Sequence, residues 1–245
     1  MILLASDYDN TLRRDGISFP ELKEIMEFQN QGNIFGLVTG RSFLSIQAEI
    51  KRFQIPMDFL ICVNGGLIFD KDYNLLEKTT IKDEIVNKVI KYMQSTDDIS
   101  GFYGNLDDSV RVANFNNVHL KNARVKQLNE VLNIGIITKT PEHLVEIIED
   151  LDQQYGDYLE FHQNGDRLVD INAKGVDKAA AIASYLKRLN GVKKVFVVGD
   201  SYNDIPMLKA FPSFAMKSHK TLVMESADHL VTNLSQVFSF IYNYD

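Results

Sequence analysis

A few short stretches of this chain carry the residue types that group-transfer chemistry needs. Ile2-Leu3-Leu4-Ala5-Ser6-Asp7-Tyr8-Asp9-Asn10-Thr11 is an apolar run ending in two carboxylates one residue apart. Thr39-Gly40-Arg41 follows a second apolar run, and Gly199-Asp200-Ser201-Tyr202-Asn203-Asp204 follows another. Lys174 opens Lys174-Gly175-Val176-Asp177-Lys178, at the start of a helical stretch. A carboxylate such as Asp7 is a usable nucleophile toward phosphorus, forming an aspartyl-phosphate. It is also an anion approaching a dianion, so a hard cation and a fixed positive charge must cancel the repulsion. Magnesium, bound by carboxylates and substrate oxygens, suits the first role. Lys174 suits the second, as a point charge that also holds Asp7 ionised. The Thr39 hydroxyl and the backbone N–H groups near Gly40 can cradle the other phosphoryl oxygens. Singly, each piece has a plainer reading: Asp, Asn and Thr are turn residues, Thr39 a helix cap, Lys174 a solvated lysine. Together and in order they fit transfer of a phosphoryl group.

The elements that would position these residues are legible from the hydrophobic pattern. Ile2–Ser6, Ile34–Val38, Phe59–Val63 and Val195–Val198 read as fully buried strands of a parallel sheet. Each ends in small or polar residues, and the first ones are separated by crossovers long enough for a helix. That rhythm marks a doubly wound α/β sheet, which binds ligands beyond the carboxyl ends of its strands. Asp7 is expected at the last strand position, facing a cleft, with Asp9 in the turn beyond it. Pro20 opens a helix to about Gln31, with Leu22, Ile25, Met26 and Gln29 as its buried stripe and Gly32 as its stop. Further helices are expected over about 42–53 and 175–190, and a closing one over 234–244.

From about Thr80 the rhythm changes. Helices near Ile85–Met93, Val118–Leu132 and Pro141–Tyr155 interleave with shorter strands near Gly101–Asn105, Val110–Asn114 and Gly135–Thr138. Tyr158–His162 and Arg167–Ile171 flank Asn164-Gly165, a hairpin signal. The expectation is an α+β cap domain at 80–167, inserted into a core made of 1–79 and 168–245. Arg111, His119, His162 and Arg167 in the insert read as surface or packing residues, and none is given a role.

Composition narrows the function classes. The chain has 245 residues, 45% of them hydrophobic, and a net charge of -7. Its basic residues are scattered, which disfavours a nucleic-acid partner. The single cysteine, Cys62, excludes a disulfide framework and reads as a buried small hydrophobe. No apolar stretch approaches the roughly 20 residues that span a bilayer, and the N-terminus lacks the basic region of a signal peptide. A cytoplasmic protein without a membrane partner is the expectation.

The motifs Asp7-Tyr8-Asp9-Asn10-Thr11, Thr39-Gly40-Arg41, Lys174 and Gly199-Asp200-Ser201-Tyr202-Asn203-Asp204 resemble, in order, those of the haloacid dehalogenase superfamily. With Asn64-Gly65-Gly66 ahead of the insert, the chain is similar to the Cof-type sugar phosphatases of that superfamily, with their Rossmann-like core. The resemblance implies a magnesium-dependent phosphatase acting on a small phosphorylated metabolite. It makes Asp7 the nucleophile and Asp9 the acid that protonates the leaving oxygen and later activates water. It gives the metal to Asp7, the backbone carbonyl of Asp9 and Asp200, with Asn203 and Asp204 in support. The substrate side falls to Thr39, Gly40, Arg41, Asn64, Gly65, Lys174 and Asn203, although Arg41 could equally pair with a carboxylate. The acid at Asp9 argues against dehalogenation, which the resemblance suggests proceeds without it. A phosphosugar mutase on the same core and a non-catalytic phosphate- or metal-binding module are the alternatives.

Overall fold

The computed structural model describes residues 1–106, 109–111 and 130–243. Its chain forms two sheets. The strands of the larger one are β1 (Ile2–Ser6), β2 (Ile34–Val38), β3 (Phe59–Cys62), β4 (Leu67–Asp70) and β5 (Leu75–Lys78). A second, antiparallel sheet holds β6 (Ile99–Leu106), β7 (Ser109–Arg111), β8 (Val131–Thr138), β9 (Leu159–Gln163) and β10 (Leu168–Ala173). The chain then returns to the first sheet with β11 (Lys194–Gly199), β12 (Ser213–Met216) and β13 (His229–Val231). The larger sheet runs β13-β12-β11-β1-β2-β3-β4-β5 and the smaller β7-β6-β8-β10-β9.

β1 lies between β11 and β2, parallel to both. Chain crossing from the first half to the second therefore meets at β1, the topological switch point where such sheets bind ligands. The strands from β13 to β3 are parallel, and β4 and β5 add an antiparallel hairpin at the edge. That hairpin departs from the all-parallel expectation. Leu67-Ile68-Phe69 is apolar on both faces and extends the buried sheet, while β5 is more exposed and closes the edge.

Apolar clusters cover both faces of the large sheet, one built around Leu4, Phe35 and Phe196, the other around Leu3, Phe59 and Val197. The smaller sheet has its own core of Val89, Ile136, Ile147 and Ile171. The first helix spans Phe19–Asn30, and it buries Ile25 and Phe28 rather than Met26, which is 43% exposed. The closing helix Leu234–Tyr242 explains the rotation, since Phe238 packs against Phe28 with ring centroids 5.4 Å apart.

The boundary expected at 167/168 needs correction. β10 pairs antiparallel with β8 and β9, so the second layer continues to Ala173. The reason is local: Gly165 takes φ 86° in the turn between β9 and β10, and such a hairpin commits both its strands to one sheet. The expected helix at 118–132 and His119 fall largely outside the described residues, as does much of the strand at 110–114. Among the described residues, no helix is long and apolar enough to cross a membrane.

Candidate active site

Three neighbouring strand ends converge on Asp7. Its backbone N–H donates to Val198 O at 2.9 Å, which holds the residue in line with the end of β11. Thr39 follows β2 and is buried, its N–H donating to Ile61 O at 2.9 Å. Asp200 follows β11 and is 5% exposed. Together with Asp9, Gly40, Arg41 and Asn203 they line a cavity of about 300 Å³. Its opposite side comes from the second sheet: Tyr103, Asn164, Gly165 and Asp170.

The cation at Asp7 is Lys178, which corrects the assignment to Lys174. Lys178 Nζ donates to Asp7 Oδ1 at 2.7 Å and to Asp204 Oδ1 at 2.6 Å, and the side chain is fully buried. Lys174 Nζ lies 3.4 Å from Glu160 Oε2, with its side chain 52% exposed. The loop between them decides which lysine points inward. Gly175 at φ 77° turns the chain out of β10, and Asp177 caps the helix Lys178–Leu186 by accepting from the Ala180 N–H at 2.8 Å. The first residue of that helix, not the residue before the turn, is thereby directed at the strand ends.

Asp204 ties this lysine to the Asp200 loop. Its Oδ2 accepts from the N–H groups of Asp200 at 2.9 Å and Ser201 at 2.8 Å. Gly199 must lack a side chain here, because a Cβ would lie 2.5 Å from Asp204 Cγ. Both oxygens of Asp204 are thus engaged in holding Lys178 and the loop.

Asp9 lies in a tight turn in which Asn10 adopts φ 58° and the Arg13 N–H donates to Tyr8 O at 2.8 Å. Its carboxylate is gripped on both oxygens by Arg41, from Nε at 2.6 Å and Nη2 at 2.7 Å. The Arg41 guanidinium also lies over the Tyr8 ring, 5.2 Å from its centroid. Of the two roles open to Arg41, the structure shows the carboxylate pair, and the carboxylate belongs to the site itself.

Asn64 and Gly65 are not in the cavity lining. Asn64 is fully buried at φ 55° and braces the site from behind: its Nδ2 donates to Asp170 Oδ2 at 3.3 Å and its Oδ1 accepts from Asn203 Nδ2 at 3.1 Å. Gly65, at φ 114°, passes so close to the next helix that a Cβ would sit 2.6 Å from Asp177 O. Gly40 is a close-approach glycine as well, with its missing Cβ 2.9 Å from Asn64 Oδ1.

The charge balance leaves room for a cation. Burial pushes the Asp7 carboxyl up to about 8, with Lys178 opposing the rise and Asp204 and Asp200 adding to it. Burial also raises Asp200, helped by Asp204 and opposed by Lys220. Lys178 itself, although burial alone would pull it down, is held above the ordinary lysine range by Asp204 and Asp7. Oxygens of Asp7, Asp200 and Asp204 lie within 4.8 Å of one another. Asn203 Oδ1 is buried and has no hydrogen-bond partner among the described residues. An all-oxygen donor set with surplus negative charge and an unmatched acceptor fits a hard divalent cation such as magnesium.

Three residues around the cavity were outside the sequence expectations. Lys220, from the loop after β12, donates to Asp200 Oδ2 at 3.0 Å and Ser201 Oγ at 3.1 Å. It follows another buried strand on the same sheet edge, the signal that had located Asp200. Tyr103 and Asp170 come from the second sheet, with Tyr103 donating its hydroxyl to Asp170 Oδ1. Gly135 makes that contact possible, since any Cβ there would overlap the Tyr103 ring. Single strand residues of this kind carry no signal in the sequence.

Comparison with known proteins agrees with this architecture. The family model of haloacid dehalogenase-like hydrolases matches residues 4–237. A 5-amino-6-(5-phospho-D-ribitylamino)uracil phosphatase of Bacillus subtilis is 27% identical over 238 residues, covering 95% of this chain and 90% of that protein. The structure of a haloacid dehalogenase-like hydrolase from B. subtilis superposes with a TM-score of 0.83 at 18% identity, covering 100% of both chains. That of a subclass IIB sugar phosphatase gives 0.77 at 18% identity, covering 100% of this chain and 99% of the other. The chain belongs to the haloacid dehalogenase-like hydrolases.

Proposed function

We propose that the protein is a magnesium-dependent phosphatase that hydrolyses a small phosphorylated metabolite through an aspartyl-phosphate on Asp7. The observation that carries this reading is Lys178, fully buried between Asp204 and the Asp7 that lines the polar cavity. A buried ammonium in that place orients the Asp7 oxygen, opposes the rise that burial imposes on its carboxyl and adds positive charge behind the incoming phosphoryl group. The phosphatase names of relatives such as the B. subtilis protein support the same class of reaction.

Asp7 attacks phosphorus, and Asp9 supplies the proton that the departing alkoxide needs, then takes one from the water that cleaves the acyl-phosphate. Arg41 orients the Asp9 carboxylate beforehand and must loosen its grip for the proton to sit there. Thr39 Oγ1 and the backbone around Gly40 line the wall where phosphoryl oxygens would rest. Asp7, Asp200, Asn203 and the Asp9 backbone carbonyl would hold the magnesium, while Asp204 positions Lys178 and the loop. The metal would supply the electrostatic stabilisation that two anions meeting at phosphorus require. Tyr103, Asp170, Asn164 and Gly165 face the organic part of the substrate, as a cap that limits water during transfer.

A cavity of about 300 Å³ with so polar a lining suits a phosphorylated polyol or sugar-sized group. The substrate named for the B. subtilis relative is one such candidate. The test is a screen of sugar phosphates, nucleotides, cofactor phosphates and 5-amino-6-(5-phospho-D-ribitylamino)uracil, read as free phosphate with magnesium and with EDTA. Metal-dependent phosphate release supports the reading. Phosphate release indifferent to EDTA overturns the metal role, and an isomerised product without free phosphate makes the protein a mutase.

A further inference from the structure

Lys220 is the second ammonium group at the carboxylate cluster, and the hydrolytic scheme above gives it no task. It sits in the loop Lys217-Ser218-His219-Lys220 between β12 and the helix Thr221–Glu225. The loop is fixed at both ends: the Lys217 N–H donates to Val231 O at 2.8 Å and the Lys220 N–H to Ser218 Oγ at 3.1 Å. From there Nζ reaches Asp200 Oδ2 at 3.0 Å and Ser201 Oγ at 3.1 Å, with the lysine side chain 18% and the aspartate side chain 7% exposed. Among the described residues, Asp200's other oxygen takes only a long bond, from Thr11 Oγ1 at 3.4 Å. The ammonium therefore holds the better-bonded oxygen of a carboxylate that the metal reading also needs.

We propose that Lys220 is a positioning residue that competes with the divalent cation for Asp200 and so sets how tightly the metal is held. The inference rests on the metal-dependent reading above. Binding a divalent ion through Asp200 requires either taking that oxygen from Lys220 or placing the ion beside an ammonium group. Both oppose binding, by lost attraction in the first case and like-charge repulsion in the second. Lys178 bonds Asp7 and Asp204 instead and acts on Asp200 as a weaker charge than Lys220. The consequence is a metal held weakly enough to exchange, at a site where Asp7 and Asp200 would otherwise favour tighter retention.

The test is isothermal titration of magnesium chloride, without substrate, into the wild-type protein and into Lys220→Met, Lys220→Arg and Asp200→Asn. Lys220→Met should lower the magnesium Kd by roughly three- to tenfold, the scale of one partly shielded charge pair. Lys220→Arg, which keeps the charge, should stay near the wild-type value, a distinction that a purely structural role would not produce. Should Lys220→Met fail to fold, Lys220→Gln carries the same comparison. A neutral variant that binds magnesium no more tightly than wild type overturns the proposal while leaving the metal reading intact. Wild-type protein that binds no magnesium, or Asp200→Asn binding it as wild type does, overturns the metal reading and this inference together.

Discussion

Lys178 Nζ lies 2.7 Å from Asp7 Oδ1, joining the first turn of one helix to the end of the strand at the centre of the sheet. The same nitrogen reaches Asp204, so one buried cation serves two carboxylates. Removing one partner of such a group leaves uncompensated buried charge, which is far more costly than losing an exposed pair.

Lys178→Met should therefore abolish turnover and destabilise the protein by about 3–5 kcal/mol. Lys174→Ala should change stability by less than about 1 kcal/mol, because its pair with Glu160 is largely solvated. Urea denaturation and phosphate release on both variants check this. Comparable losses from the two substitutions would contradict the assignment.

The grip of Arg41 on Asp9 predicts a graded pair of effects. Asp9→Asn removes the proton carrier and should slow turnover by about 10²–10⁴-fold. Arg41→Ala leaves the carboxylate in place without its orienting partner, so its loss should be smaller, on the order of 10²-fold or less. Steady-state kinetics on the two variants decide the order. A larger loss from Arg41→Ala would place Arg41 on the substrate and not behind Asp9.

Asp170 gives the protein a pH-dependent stability that is separate from catalysis. The residue is 1% exposed and accepts from Asn133 Nδ2 at 3.0 Å, Asn64 Nδ2 at 3.3 Å and the Tyr103 hydroxyl. Burial pushes its carboxyl from 3.8 up to about 6, against the lowering by those hydrogen bonds. A raised carboxyl binds its proton more tightly in the folded than in the unfolded protein. Its contribution is thus fully present below pH 3.8 and is lost as the pH climbs through about 6. Asp170→Asn removes that titration. Stability of wild type relative to the variant should fall by up to about 3 kcal/mol between roughly pH 4 and pH 7. Denaturant midpoints measured at both pH values test it, and a constant difference would show that Asp170 does not titrate there.

The parts of the fold that could be read in the sequence were those whose physics is local. β1, β2 and β11 are buried on both faces, so each reads as an unbroken apolar run ending where the cleft begins. Asp7, Asp9, Thr39, Gly40 and Asp200 follow from those strand ends, and all line the cavity. Lys174 and Lys178 are separated by three residues of loop, and only the Gly175 turn and the Asp177 cap decide which one faces inward. The resemblance puts Asn64 on the substrate side, whereas its left-handed backbone folds the amide into a brace between Asp170 and Asn203. Tyr103 and Asp170 meet across a contact far along the chain, which no spacing rule encodes, whereas Lys220 follows a buried strand just as Asp200 does.

The claim on which the rest depends is that Asp7 becomes phosphorylated during turnover. Quenching the enzyme with borohydride while substrate is being consumed reduces an acyl-phosphate to an alcohol, and peptide mass spectrometry then locates the altered residue. The expected result is homoserine at position 7 in wild type, with none in Asp7→Asn and no turnover by that variant. Full activity in Asp7→Asn, or reduction at a different carboxylate, would contradict it.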